Sequence, residues 1–375
     1  LLNTYDDWSP LKEVIVGSAA NYTSHERELS FDLFYYDEIP NAHMYYPRHH
    51  APAEGGRGAP SPIKQKYVEE LNEDVEGMAE VLESLSVIVH RPMPIEENIA
   101  VRTPAWSAAV VPPLNLRDNT LILGDEIIET PPQIRARYFE TQFLTPVFMD
   151  YFAKGARWTV MPRPIMTDSS FDPSYANGSP GEPVEQIMNP APSGYDVGFE
   201  IMFDGAQVLR LGKDLIVNIS TINHAMACDW LERHLEGRFR VHRVRMVDNH
   251  IDSTVLALRP GLLLVRSPKF ADQLPEALRS WDMIFAPEPD ETAFPDYDDD
   301  DLVLTSPFID LNVLSLNEDT VLVNEACPEL MRLLEKHHIE PVPVRHRHRR
   351  LFGGGLHCFT LDTVREGSRL EDYLS

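Results

Sequence analysis

The chain has little cysteine: three residues, Cys228, Cys327 and Cys358, in 375. No C-x-x-C pair and no H-E-x-x-H occurs, so neither a disulfide framework nor a thiolate or helix-borne zinc site is expected. No structural metal or cofactor is implied. Long apolar runs are also missing. The longest, such as LILG (121–124) and LLLV (262–265), are far too short to cross a bilayer. The first residues, LLNTYDDWSP, have neither a basic nor an apolar leader segment, which with the sparse thiols predicts a cytoplasmic, reducing setting. Basic residues are scarce, 33 against 59 acidic, for a net charge of −26. That disfavours nucleic acid and anionic membrane as partners and favours a cationic small molecule. The one basic cluster, RHRHRR (345–350), reads as a solvated loop or as ion pairs to DYDDDD (296–301).

What is present is a repeat. A turn and a short apolar strand recur at 9–18, 116–126, 210–220, 258–267 and 316–325. Helical spacing follows each, at 62–85, 133–155, 223–236, 270–281 and 328–338. A second strand follows each helix, at 86–92, 157–164, 239–244, 281–289 and 339–344. Strand, helix, strand, five times over, predicts an α/β architecture closed into a ring, with loops converging on one centre. An open α/β sheet is the plainer alternative. No linker divides the chain, so residues 1–375 are expected to form one domain. The Pro/Gly-rich stretch 42–62 is expected to be a flexible insertion or flap.

Chemistry gathers just ahead of the repeat strands. LFGGGLHCFTLD (351–362) sets three glycines beside Cys358. A thiol is a strong nucleophile only as thiolate, usually with a base nearby. Among 14 histidines, His250 stands out in DNHIDSTV, two residues from Asp252. Asp204 precedes the third repeat strand and Asp118, in NLRDNTLI, the second. Each has a plainer reading: Asp118 as a turn residue, Asp204 as a cap, His250 as a core histidine, Cys358 as a buried thiol. Cys228 and Cys327 read as inert.

The segments LKEVIVG, GDEIIETP, GFEIMFDGAQVLRLGKDLIV, HIDSTV, LNVLSLNEDTVLVN and GGGLHCFTLD together resemble the amidinotransferase family, the glycine and inosamine-phosphate amidinotransferases, over residues 5–373. The resemblance implies the pentein fold, a five-bladed pseudo-symmetric α/β-propeller. It also implies roles: Cys358 as nucleophile, His250 as general acid/base, Asp204 as its orienting carboxylate. Asp118 and Asp252 would bind a guanidinium. Thr305, Ser306 and a basic residue, Lys269 or Arg266 with a slight preference for Lys269, would lie near the donor carboxylate. Gly355 and its neighbours would admit the donor and adjoining chain. The implied reaction moves the amidino group of L-arginine through Cys358 to a primary amine and releases L-ornithine. The implied partners are therefore small molecules, and a homodimer is allowed. Gly205 and Gln207 stand where the family has Ala and Asp, and Ile201 where it has Pro. The segment VDNHID is shorter than in the glycine enzyme, which suits an acceptor larger than glycine. The rival functions are an arginine deiminase-like hydrolase with water as acceptor, and a pentein that binds without catalysis. A cysteine protease fits the residue types but not the repeats.

Overall fold

The computed structural model describes residues 1–23, 28, 30–31, 63–96, 99–170, 200–219, 221–245, 250–297 and 303–374. The expected flap at 42–62 lies outside them. Five three-stranded sheets are built alike. In the second, β5 (Thr120–Leu123) turns into antiparallel β6 (Glu126–Glu129), and a crossover returns parallel β7 (Arg157–Val160). The third repeats this with β8 (Val208–Leu211), β9 (Asp214–Asn218) and β10 (Arg240–Val244). The fourth uses β11 (Val255–Arg259), β12 (Leu262–Val265) and β13 (Asp282–Phe285). The fifth uses β14 (Leu314–Asn317), β15 (Thr320–Asn324) and β16 (Glu340–Val344). The first blade is made from both ends of the chain. β1 (Leu11–Val16) pairs parallel with β2 (Ile88–His90) and antiparallel with β17 (Thr360–Arg365). A separate hairpin joins β3 (Ala100–Arg102) to β4 (Ser107–Ala109).

The sequence dictates which edge faces inward. The middle strands are β-branched and leucine runs covered on both faces, as parallel pairing requires. The antiparallel strands β5, β8 and most of β11 are equally buried; around the centre β8 packs on β11 and β5 on β17. The third strands, such as β2 and β7, are largely exposed outer edges. Between middle and outer strands lie the crossover helices. The longest, α1 (Gln65–Ser84), buries Val68, Leu71, Val75, Met78, Ala79 and Leu82, a three-and-four spacing on one face. The helix expected over 133–155 is α-helical only at α2 (Thr145–Ala153), which carries Pro146 in its first turn; 3-10 turns occupy Arg135–Arg137 and Glu140–Leu144. The third crossover is α3 (Ile222–His234). The helix expected over 270–281 is split by Pro275 into α4 (Pro268–Ala271) and α5 (Glu276–Arg279). The last is α6 (Pro328–Lys336).

Ion pairs, not apolar side chains alone, fill the inner end of the ring. Arg210 on β8 binds Asp7 and Asp362, while Arg117 lies 2.7 Å and Arg365 2.6 Å from Asp362. Burial pushes Asp362 up, but the three guanidiniums outweigh it and hold its carboxyl well below the usual range. Most of the segment expected to pair with the basic cluster at 345–350, residues 298–301, lies outside the described residues. Among the described residues Arg345 and Arg347 pair with Glu73 and Asp74 of α1, and Arg349 with Asp310.

Candidate active site

Six candidate side chains sit in loops that enter an inner strand: Asp118 before β5, Asp204 before β8, His250 and Asp252 before β11, Ser306 before β14, Cys358 before β17; Arg266 and Lys269 instead follow the middle strand β12. Because the inner strands ring one centre, these loops meet at one end of it.

Asp204 opens a 3-10 turn, Gly205–Gln207. Its backbone N–H donates to Gln207 Oε1 at 2.8 Å, and Gln207 Nε2 donates to the Asn218 carbonyl at 2.8 Å. So braced, Asp204 Oδ2 lies 2.7 Å from His250 Nε2. The other imidazole nitrogen, Nδ1, lies 3.8 Å from Asp118 Oδ1. Asp118, 3% exposed, gives its other oxygen to Arg137. Arg137 in turn bonds Glu140 at 2.5 and 2.8 Å and the Asn115 carbonyl at 2.7 Å. Burial pushes Asp118 up, and Arg137 and His250 pull it back; burial likewise pushes Glu140 up to about 7 against the pull of Arg137. Asp118, Asp204 and His250 present donor atoms all within 4.8 Å of one another, close enough for a divalent ion. The 2.7 Å hydrogen bond between Asp204 and His250 also gives the trio the makings of an acid–base unit.

Cys358 is 4% exposed, with Sγ 3.5 Å from Asp252 Oδ2. Burial, then the charges of Asp252 and Asp118, raise its pKa well above the ordinary thiol value. Its backbone N–H donates to Asn312 Oδ1 at 2.9 Å, and Asn312 Nδ2 donates to the Asp252 carbonyl at 3.2 Å. Here the bare backbone of the glycine run finds its reason. A Cβ on Gly355 would stand 2.5 Å from Asn312 Cβ, and one on Gly354 would stand 2.0 Å from Asn115 Oδ1. The glycines let the loop close on the two asparagines, one of which fixes the cysteine. Gly355→Ala should therefore cost about 1–3 kcal/mol of stability and slow turnover. Denaturant unfolding and initial rates check this, and a variant neutral in both would show that the approach is unnecessary.

The second carboxylate, Asp252, accepts a 2.7 Å hydrogen bond on Oδ2 from His357 Nδ1. Burial raises Asp252, but the His357 hydrogen bond and charge outweigh it and leave the carboxyl lowered. One oxygen of each of these carboxylates, Asp118 Oδ1 and Asp252 Oδ1, is buried without a hydrogen-bond partner among the described residues. His357, Arg137, Glu140 and Asn312 were not singled out from the sequence. The only signals were the H of the HC pair, RARYFE inside an expected helix, and LNVL.

Ser306 caps the 3-10 turn Pro307–Leu311, its Oγ accepting from the Phe308 N–H at 3.3 Å; Thr305 N–H donates to the Arg350 carbonyl at 3.2 Å. The two basic candidates separate. Arg266 is buried with its guanidinium 4.4 Å from the Phe308 ring centre, against the turn that Ser306 opens. Lys269 is exposed on α4. Cys228 is buried in the core, where desolvation pushes its thiol up to about 12; Cys327 is half-buried and raised for the same first reason.

A five-bladed α/β-propeller with a buried thiol, a carboxylate-braced imidazole and two half-partnered carboxylates at its centre defines an enzyme of the pentein class. No protein-family model matches the chain. It is 32% identical over 378 residues to inosamine-phosphate amidinotransferase 1 of Streptomyces glaucescens, covering 100% of this chain and 99% of that protein. It is 33% identical over 376 residues to mitochondrial glycine amidinotransferase of Gallus gallus, covering 99% and 84%. The solved structure of the inosamine-phosphate amidinotransferase StrB1 from Streptomyces griseus superposes with a TM-score of 0.83 at 30% identity, over 100% of this chain and 99% of that one. The chain belongs to the amidinotransferase family and is a transferase of amidino groups acting on small molecules. Among the described residues no helix is long and apolar enough to cross a membrane.

Proposed function

We propose that the protein is an L-arginine:amine amidinotransferase that carries the amidino group on Cys358. The observation that supports this most is the pair of orphaned oxygens, Asp118 Oδ1 and Asp252 Oδ1. Two buried acceptors flanking a thiol suit a planar cation with a fixed fork of donors, which is a guanidinium. A donor cation there offsets the two charges that hold the thiol up, so the nucleophile is activated once the donor is in place.

In the first half-reaction the Cys358 proton passes to His250, sulfur attacks the central guanidinium carbon, and His250 delivers that proton to the departing nitrogen. Ornithine leaves as the amine, and a cationic amidino-thioether remains. In the second, an acceptor amine attacks the same carbon, the C–S bond breaks, and His250 returns the amine's proton to sulfur. Asp204 holds the imidazole by Nε2 and leaves Nδ1 to face the reacting groups. The acceptor-side segment 246–249 falls outside the described residues, so the expectation of a larger acceptor rests on sequence. Three unpaired thiols fit a cytoplasmic setting.

For the donor carboxylate we assign Arg266, with Ser306 beside it, in place of Lys269. Arg266→Ala should raise the KM for arginine roughly 10- to 100-fold and Lys269→Ala should leave it unchanged. Agmatine, which lacks the carboxylate, should be a poor donor for the wild type and should lose little further in Arg266→Ala. An equal loss for both donors would remove Arg266 from that role.

The function is tested by ornithine release from arginine across a panel of amines, glycine and inosamine phosphates included, with guanidino products confirmed by mass. Release that depends on the amine supports transfer. Citrulline and ammonia formed without any amine would make the protein a hydrolase.

A further inference from the structure

We infer that His357 is a positioning residue for the donor: its Nδ1–H holds Asp252 as an anion with one oxygen committed and the other turned to the guanidinium. This rests on the donor reading above and deepens it. Asp252 Oδ2 is shared by His357 Nδ1 at 2.7 Å and by the Cys358 sulfur at 3.5 Å, whereas Oδ1 has no partner. A carboxylate only accepts, so the imidazole proton is assigned to Nδ1. The ring is buried, and both burial and the neighbouring Arg117 lower its pKa, which keeps it neutral. Its Nε2 is then a bare lone pair without a hydrogen-bond partner among the described residues, 4.0 Å from Asp7 Oδ1. The charged and titratable groups facing this pair are Asp7, Arg117, Cys358 and His250, and Asp118 acts in turn on Cys358.

The ring and the backbone have separate tasks. The His357 and Cys358 N–H groups are both held by Asn312, so the ring can be changed while the sulfur keeps its anchor. Hydrogen bonds to a charged group contribute about 1.5–3 kcal/mol, roughly 10- to 100-fold in affinity.

The test compares H357L, H357N and H357Q. An asparagine amide can stand where Nδ1 stands, and a glutamine amide cannot. H357L and H357Q should lower kcat/KM for arginine about 10- to 100-fold, mostly through KM. The sign of the pH effect follows from Asp252. Without its donor its carboxyl pKa rises, so the acid limb of kcat/KM moves to higher pH. H357N should restore both. A second readout needs no donor: alkylation of Cys358 by iodoacetamide against pH. In H357L the midpoint should rise, because Oδ2 then serves the thiol proton alone. Should H357L fail to fold, the asparagine–glutamine pair decides. An unmoved acid limb, or H357N as impaired as H357Q, would overturn the inference and leave His357 a packing residue. If wild-type protein formed no adduct with arginine, the donor reading would fail, yet the alkylation shift would still decide what holds Asp252.

Discussion

Cys358→Ala should abolish ornithine release, with a loss of at least about 10⁴-fold, as when a covalent nucleophile is removed from a unit that acts together. The fold should survive. The residue sits in a core cluster with Phe359, Leu356 and Phe352, and its backbone stays anchored on Asn312. Removing a sulfur also removes the group that burial and two carboxylates keep protonated at rest. Arginine should therefore still bind in Cys358→Ala, and isothermal titration should find it bound without turnover. Turnover near the wild-type rate would discard the covalent route, and lost binding with a normal unfolding curve would show that the sulfur is part of the donor site.

Asp204→Asn should be nearly as damaging, roughly 10³- to 10⁴-fold in turnover, with a much smaller effect on arginine binding. The amide keeps the shape but can turn its N–H₂ toward His250 Nε2, which favours the wrong imidazole tautomer. It also removes the charge that stabilises the ring while it carries the proton within each half-reaction. Asp204 lies behind the imidazole, 2.7 Å from Nε2, while the orphaned oxygens proposed to take the donor belong to Asp118 and Asp252. A change in KM with kcat preserved would instead make Asp204 a donor-binding residue.

The ring and the position of the chemistry were readable in the sequence for one reason. The middle strands are short, β-branched and bracketed by turns, and the residues with a chemical function fall at the same place relative to them. The innermost strand of each blade was harder to read. In GAQVLRLGKDLIV the polar RLGKD turn separates β8 from β9, and the reading took the turn and the strand after it as the repeat unit and passed over VLRL before it. In the second unit the reading settled on TLIL, the inner strand β5, and passed over EIIE, the middle one. The helix expected at 133–155 failed at its start for a reason that concerns the site. Arg137 and Glu140 turn inward to hold Asp118, and the chain there takes 3-10 turns until Thr145. His357 was hidden by number, one of 14 histidines, with its partner Asp252 105 residues away. The proposal of Arg266 over Lys269 rests on burial, which three residues of separation do not reveal.

The most direct measurement is the intact mass of the protein after brief exposure to L-arginine with no amine present, followed by peptide mapping. The account predicts one added amidino group, carried on Cys358, with ornithine released in equal amount and the adduct discharged when an acceptor amine is supplied. An unmodified Cys358 in protein that nonetheless turns over arginine would contradict it.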